Sequence, residues 1–355
     1  MVGTSMKKII LITLGLLLGG IANAQTLKIA TLAPEASEWM KALRAAGKNI
    51  ETRTEGRVQI KYYGGGIQGS DDQVLRKMRI GSLQGGVFLP LVLQEAYRDI
   101  VLYTLPLVFE SEDEATYVRQ RLDGRLMEGL NEAGYVGFGF AATGFAIIMS
   151  NEPIYVVDDL QGKKVWVPEN DAISYAAMKD LALSPQTLPL SDVYTGLQTR
   201  LIDIIAASPI GALVMQWHTK VKYITDVPLV YTVGLMAIDK RAFNKIRPDD
   251  QVIVSEVMTE LYARFDQKNI VDDAGAKQAL LNSGIQRIVP EKSAVTELQR
   301  VMEETNRRLA ENGEYSLELF DEMLSYVDEY RNGKRDTETV AGAASDPEKT
   351  LASGD

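Results

Sequence analysis

The 355-residue chain contains no cysteine and a single histidine, His218. The first absence excludes a disulfide framework, a thiolate metal site, a thiol nucleophile and a lipid-modified cysteine. The second removes most metal and acid–base constellations, which rely on imidazole. Clustered cations are missing as well: 38 basic residues face 48 acidic ones, the formal charge is −10, and no basic stripe is present to meet a nucleic-acid backbone. No Ser-His-Asp arrangement is visible. The glycine-rich "GGGIQG" lacks the Lys-Ser/Thr of a phosphate loop and reads as a turn. Neither a catalytic activity nor a cofactor is expected.

What is present is a globular composition, 46% hydrophobic and 24% charged, on a chain long enough for two domains. Lys7 and Lys8 precede the apolar run Ile9 to Leu18, and Ala22-Asn23-Ala24 follows it at the spacing signal peptidase reads. Residues 1–24 therefore read as a secretory signal peptide, the mature chain beginning at Gln25 in the bacterial periplasm. The run is short for the ~20 residues of a membrane span.

From Gln25 onward, strand and helix signals alternate, the pattern of an α/β fold. "LKIAT", "VQIKYY" and "GGVFL" read as strands separated by helices that start near Ser37 and Ser70. Tyr135 to Ser150 is a glycine-punctuated extended segment too long for one ordinary strand, so it is placed as a crossing between domains. "KKVWVP", "QTLPL" and "IDIIAASP" build a second α/β unit, and "VGLMAID" returns the chain to the first. Val254, Met258, Leu261 and Phe265 mark one face of a long helix after Pro248. The expected architecture is a two-lobe periplasmic-binding-protein fold with interlobe crossing strands and a long helix along both lobes. Lobe I takes 25–144 and 232–272, lobe II takes 145–231 and 273–332, and 333–355 is read as a disordered tail with almost no large apolar residue. A ligand would sit in the cleft between the lobes.

"LKIATLAPEASEWMKAL", "TEGRVQIKYYGGGIQGSDDQVLRKMRIGSLQGGV", "DLQGKKVWVP" and "PLSDVYTGLQTRLID" resemble, in order and spacing, the DctP-type solute receptors of tripartite ATP-independent periplasmic (TRAP) transporters. The resemblance covers residues 27 to 330. It implies a small-molecule ligand, a partner permease in the membrane driven by an ion gradient, and a receptor that is most often a monomer and sometimes a dimer.

The same resemblance exposes three departures. The family's strand usually reads K-[IVL]-R-V-P, its arginine clamping a ligand carboxylate, and here Trp166 stands in that place. A second arginine often follows the G-F of the interlobe strand, where this chain has Ala146 after Gly144-Phe145. The usual D-G-Q-E-N-P segment has become Asp203-Ile204-Ile205-Ala206-Ala207-Ser208-Pro209. Tryptophan offers one N–H and an apolar face in place of a planar fork of donors, so a small carboxylate here would lose water without gaining a counter-charge.

The pocket implied by these positions is apolar and aromatic: Trp39, Phe88, Phe145, Ala146, Trp166, Ile205 and Ala207, with Tyr194 and Ser208 for orienting hydrogen bonds. It suits a neutral, hydrophobic or lipid-like ligand better than a C4-dicarboxylate. Two alternatives stand beside it: an organic-acid receptor in which Arg98, Arg119 or Arg200 restores the charge, and a periplasmic lipid carrier or sensor subunit with a non-permease partner. A tryptophan on a strand is more often core than pocket wall, and Trp39 lies on an apolar helix face. His218 beside Trp217 reads as helix surface. The acidic run "ESEDEA" reads as a solvated helix start, where negative charge favours the helix dipole.

Overall fold

The computed structural model describes residues 24–344, with side chains described to residue 334; the segment read as a signal peptide lies outside the described residues, apart from Ala24. Among the described residues, no helix is long and apolar enough to cross a membrane.

The first lobe starts with strand β1 (Gln25–Thr31), helix α1 (Glu38–Arg53), β2 (Val58–Tyr63), α2 (Asp71–Arg79) and β3 (Gly85–Phe88). Ser37 caps α1 by accepting the amide of Met40, as its position before an apolar-periodic run predicts. Parallel pairing of β1 with both β2 and β3 makes a β-α-β unit whose buried stripe is Leu27, Ile29, Met40, Leu43 and Ile50.

Helix α3 (Glu112–Glu132) and the short β4 (Tyr135–Gly137) precede β5 (Ala141–Ser150). The expected single crossing segment is thus broken after Gly137. The second lobe follows with β6 (Lys164–Pro168), α4 (Ala172–Asp180), β7 (Ser184–Leu188), α5 (Val193–Gln198), β8 (Ile204–Ala207) and α6 (Pro209–Val214). Here β6 pairs in parallel with β7 and β8.

The return strand β9 (Tyr223–Asp239) has 17 residues, far longer than the "VGLMAID" visible in the sequence. It pairs with β3 and β4 through its C-terminal half and with β5 through its N-terminal half, so the sheet runs β2-β1-β3-β9-β5-β8-β6-β7. Three strands at each end belong to one lobe, while β9 and β5 belong to both. Their pairing slips between Ala142 and Phe145, where Gly144 has φ +85° and a Cβ would meet the Asp273 carboxylate at 2.4 Å. Only glycine fits that hinge bulge.

After α7 (Lys240–Phe243), helix α8 (Pro248–Asn282) has 35 residues, about 50 Å at ~1.5 Å per residue. Its first half buries Val254, Met258 and Leu261 in the core of lobe I, and Leu280 enters that of lobe II. Strand β10 (Gln286–Ile288) joins β9, α9 (Lys292–Glu311) packs on α4, and α10 (Leu317–Ala344) packs on α3. This last contact departs from the boundary read from sequence: Leu319, Phe320, Met323 and Val327 join the core of lobe I, although residues to 332 were assigned to lobe II. Helix α10 also continues to Ala344, past the expected onset of a disordered tail at 333; the rest of that tail, 345–355, lies outside the described residues.

Candidate ligand cleft between the lobes

In open α/β sheets, ligands bind beyond the carboxyl ends of the strands. In this chain the ends of β1, β3, β6 and β8 converge from the two lobes on a cavity of about 210 Å³. Thr31 and Ala33 come from β1 and the turn after it, Phe88 from β3, Trp166 from β6, and Ala207 and Ser208 from β8 and the turn after it. Helix α8 closes one wall with Tyr262, Phe265 and Asn269.

Trp166 is both core and wall. It is 6% exposed, its ring stands edge-on to Trp217 with centroids 5.7 Å apart, and its Nε1 donates to the carbonyl of Leu188 at 3.0 Å. The indole N–H is therefore occupied, and the ring offers the cavity only its apolar surface. Trp39 donates through Nε1 to Asn269 Oδ1 at 3.1 Å, and Asn269 Nδ2 donates to the carbonyl of Ala142, which fixes α1 and α8 to the hinge strand. Ser208 Oγ accepts the amide of Gly211 and caps α6.

The other expected residues lie elsewhere. Phe145 packs on Tyr231 at 5.3 Å. Ala146 and Ile205 line a second, apolar cavity of about 180 Å³. Tyr194 sits beneath the Lys220 ammonium at 5.0 Å. Sequence reasoning missed Trp217, which is 4% exposed and lines the cleft, while its neighbour His218, expected on a helix surface, places Nδ1 3.1 Å from the carbonyl of Ala212. It also missed Asn269, whose polar side chain recurs on the inner face of α8 one turn after Phe265, a signal available in the sequence.

Among the described residues, Asp71 is the only ionisable side chain lining the 210 Å³ cavity apart from the tyrosine Tyr262. Burial, reinforced by the neighbouring Asp72, pushes its carboxyl up to about 7. No arginine enters. Arg98 lines a separate outer chamber of about 450 Å³, where its guanidinium bonds the carbonyl of Gly313. Arg200 is an exposed turn residue with φ +57°. Arg119 is buried behind the hinge strands, its guanidinium shared among Asp123, Asp266, Tyr231 and the carbonyl of Phe140. The outer chamber also carries Arg76 and Arg79, and Arg79 pairs with Glu95 at 3.3 Å. Asn170 reaches from lobe II across the mouth of this chamber and donates to both oxygens of Asp72 at 3.1 and 3.0 Å.

The acidic start of α3 corrects the expectation of a solvated cap. Glu114 is 1% exposed and accepts from Arg331 Nε at 2.6 Å, and Glu112 holds one carboxylate oxygen buried without a hydrogen-bond partner. The reason is tertiary: α10 and the hinge cover that end of the helix. Burial, with the nearby Asp273 charge, pushes Glu112 up to about 7 from its ordinary 4.5, and burial pushes Asp273 up to about 6 from 3.8. Between about pH 4 and 7 the native state retains protons that the unfolded chain has released, so stability falls as pH rises through that window. On the acid side, the Arg57 fork holds Asp250 below its ordinary value, and that contribution is lost as the carboxylate protonates below about pH 4. The expected result is a melting temperature that peaks near pH 4 and declines to pH 7.5. In Glu112→Gln the decline is shallower; an unchanged slope in calorimetry would remove Glu112 from this account.

Comparison with known proteins follows the same geometry. Residues 29–312 match the family model "Bacterial extracellular solute-binding protein, family 7", DctP. An uncharacterised protein of Haemophilus influenzae is 27% identical over 253 residues, covering 69% of this chain and 75% of its own. The C4-dicarboxylate-binding periplasmic protein DctP of Rhodobacter capsulatus is 25% identical over 242 residues, 66% of this chain and 71% of its own. Among solved structures, a TRAP periplasmic solute-binding protein from Haemophilus influenzae with bound L-gulonate superposes with a TM-score of 0.75 at 22% identity, over 86% of this chain and 99% of that one. The fold, the cleft and the match over residues 29–312 agree: the chain belongs to the DctP family of bacterial extracellular solute-binding proteins.

Proposed function

We propose that this receptor captures a neutral or amphipathic molecule with a largely apolar body, and presents it to a TRAP permease. The observation that carries the reading is the charge of the inner cavity: three tryptophans, Trp39, Trp166 and Trp217, line it together with Phe88 and Phe265, and its one charged group is a carboxylate. A small dianion placed there would be desolvated beside Asp71 with no cation in the lining, a cost of several kcal/mol or more. C4-dicarboxylates, named for one similar protein, are dianions of this kind, and L-gulonate, bound by another, is a monoanion that would meet a smaller penalty of the same sign. An acidic ligand is accommodated here only with its charge in the outer chamber, which adjoins the inner one at Asp71, Leu89 and Leu190 and carries Arg76, without an ion-pair partner among the described residues.

The test is titration calorimetry on protein stripped of any bound molecule by unfolding and refolding. Indole, a neutral aromatic probe, is expected to bind and to raise the melting temperature, whereas succinate and D-galacturonate at millimolar concentration leave it unchanged. Micromolar binding of either acid with none of indole overturns the reading. Release of an apolar molecule from the unstripped protein on solvent extraction, identified by mass spectrometry, would name the ligand class.

A further inference from the structure

We propose that the second cavity, of about 180 Å³, is an acyl-chain subsite of the same cleft, holding the aliphatic part of an amphipathic ligand whose body lies against Trp166. The inference rests on the reading above and adds a second chamber to it. The two cavities adjoin: Leu89, Trp166, Ala206 and Thr232 line both, near the ends of β6 and β8. Lobe I roofs the second cavity with Leu89, Pro90 and Pro106, and lobe II walls it with α4 and α9, so it lies between the lobes as the first does.

Its chemistry is that of a hydrocarbon. Leu160, Leu181, Leu298 and Met302 supply the walls, and two alanines, Ala146 and Ala177, leave the space that larger side chains would fill. Among the described residues, Asp171 is the only ionisable side chain on the lining, and it accepts the amide of Ser174 at 2.8 Å as the cap of α4. Protein interiors tolerate few voids larger than a water molecule, and an unfilled apolar void weakens a fold in proportion to its volume. An apolar cavity of ~150 Å³ holds a benzene-sized hydrocarbon, so this one has room for on the order of six carbons. Such a void, retained where the two lobes meet and beside the ligand cleft, is explained by an occupant that arrives with the ligand.

The experiment uses straight-chain primary alcohols from butanol to dodecanol on the stripped full-length protein, with indole as the control for the inner cavity. Affinity is expected to rise about three- to fourfold per methylene until the chamber is filled, and then to level off. Ala177→Leu, which fills the chamber, should move the levelling point to shorter chains and leave indole affinity unchanged. Indole binding with no chain-length dependence overturns the acyl subsite while the aromatic-cleft reading stands. Binding of succinate with neither indole nor the alcohols overturns both. If Ala177→Leu does not fold, the chain-length series on the unsubstituted protein decides alone.

Discussion

Replacing Arg119 with leucine is expected to lower the unfolding free energy by about 3–5 kcal/mol, because it leaves buried charge without its partner. The guanidinium is 4% exposed and holds three elements at once. Its Nη1 lies 2.6 Å from Asp266 on α8 and 3.2 Å from the Tyr231 hydroxyl on β9, Nη2 donates to the carbonyl of Phe140 just before β5, and Nε and Nη2 face Asp123 on α3 itself. Asp266 in turn accepts the amide of Ala142 on the hinge strand at 2.7 Å. Leucine fills part of the volume but abandons two carboxylates and a carbonyl. Lysine restores the charge without the planar fork, so Arg119→Lys should recover only part of the loss. Urea denaturation of the three proteins measures the series. A loss below about 1 kcal/mol for the leucine variant would mean that the two carboxylates are reached by water and need no buried cation.

This network also explains what was and was not legible in the sequence. The alternation of strands and helices, the caps at Ser37 and Ser70, and the periodic apolar face of α8 are local signals, and each element appears where the pattern places it. Strand β9 was only half visible because Pro228 interrupts its alternation, and pairing with β5 on one side and β3 on the other, not local propensity, carries the chain through its 17 residues. The destination of Arg119 was not legible at all. Its partners are 4, 21, 112 and 147 residues away, and nothing on a helix face distinguishes an arginine that enters a hinge from one that stays in solvent.

The candidate site divides the same way. Trp39, Phe88, Trp166, Ala207 and Ser208 meet around one cavity because each stands at a strand end or on the helix that follows, positions a strand pattern can locate. Phe145 and Ala146 turn to different environments because successive residues of a strand face opposite sides of the sheet, and the bulge before them shifts the register of β5 against β9. Trp217 escaped because it lies in a short turn after α6, preceded by Gln216 at φ +60°, where no periodicity announces an inward face.

Trp166 decides between the bland and the functional reading of the cleft, and a pair of substitutions separates them. Trp166→Ala removes a buried ring from its edge-on contact with Trp217, and truncations of this size cost about 3–5 kcal/mol. Trp166→Phe keeps most of the apolar surface and gives up the bond to Leu188, whose carbonyl still accepts the amide of Glu169 at 3.2 Å, so its cost should be about 1 kcal/mol. Stability alone cannot tell core from wall, but indole binding can. If the ring is a wall of the ligand site, Trp166→Phe retains indole affinity within a few-fold while Trp166→Ala weakens it by more than tenfold under conditions where both remain folded, consistent with ~0.5–1.5 kcal/mol for an aromatic pair added to its area burial. If indole affinity follows neither variant, Trp166 is lobe II core alone, and the aromatic character of the cleft must be carried by Trp39 on the opposite lobe, which is only half-buried and anchored by Asn269 instead of by its own lobe's sheet.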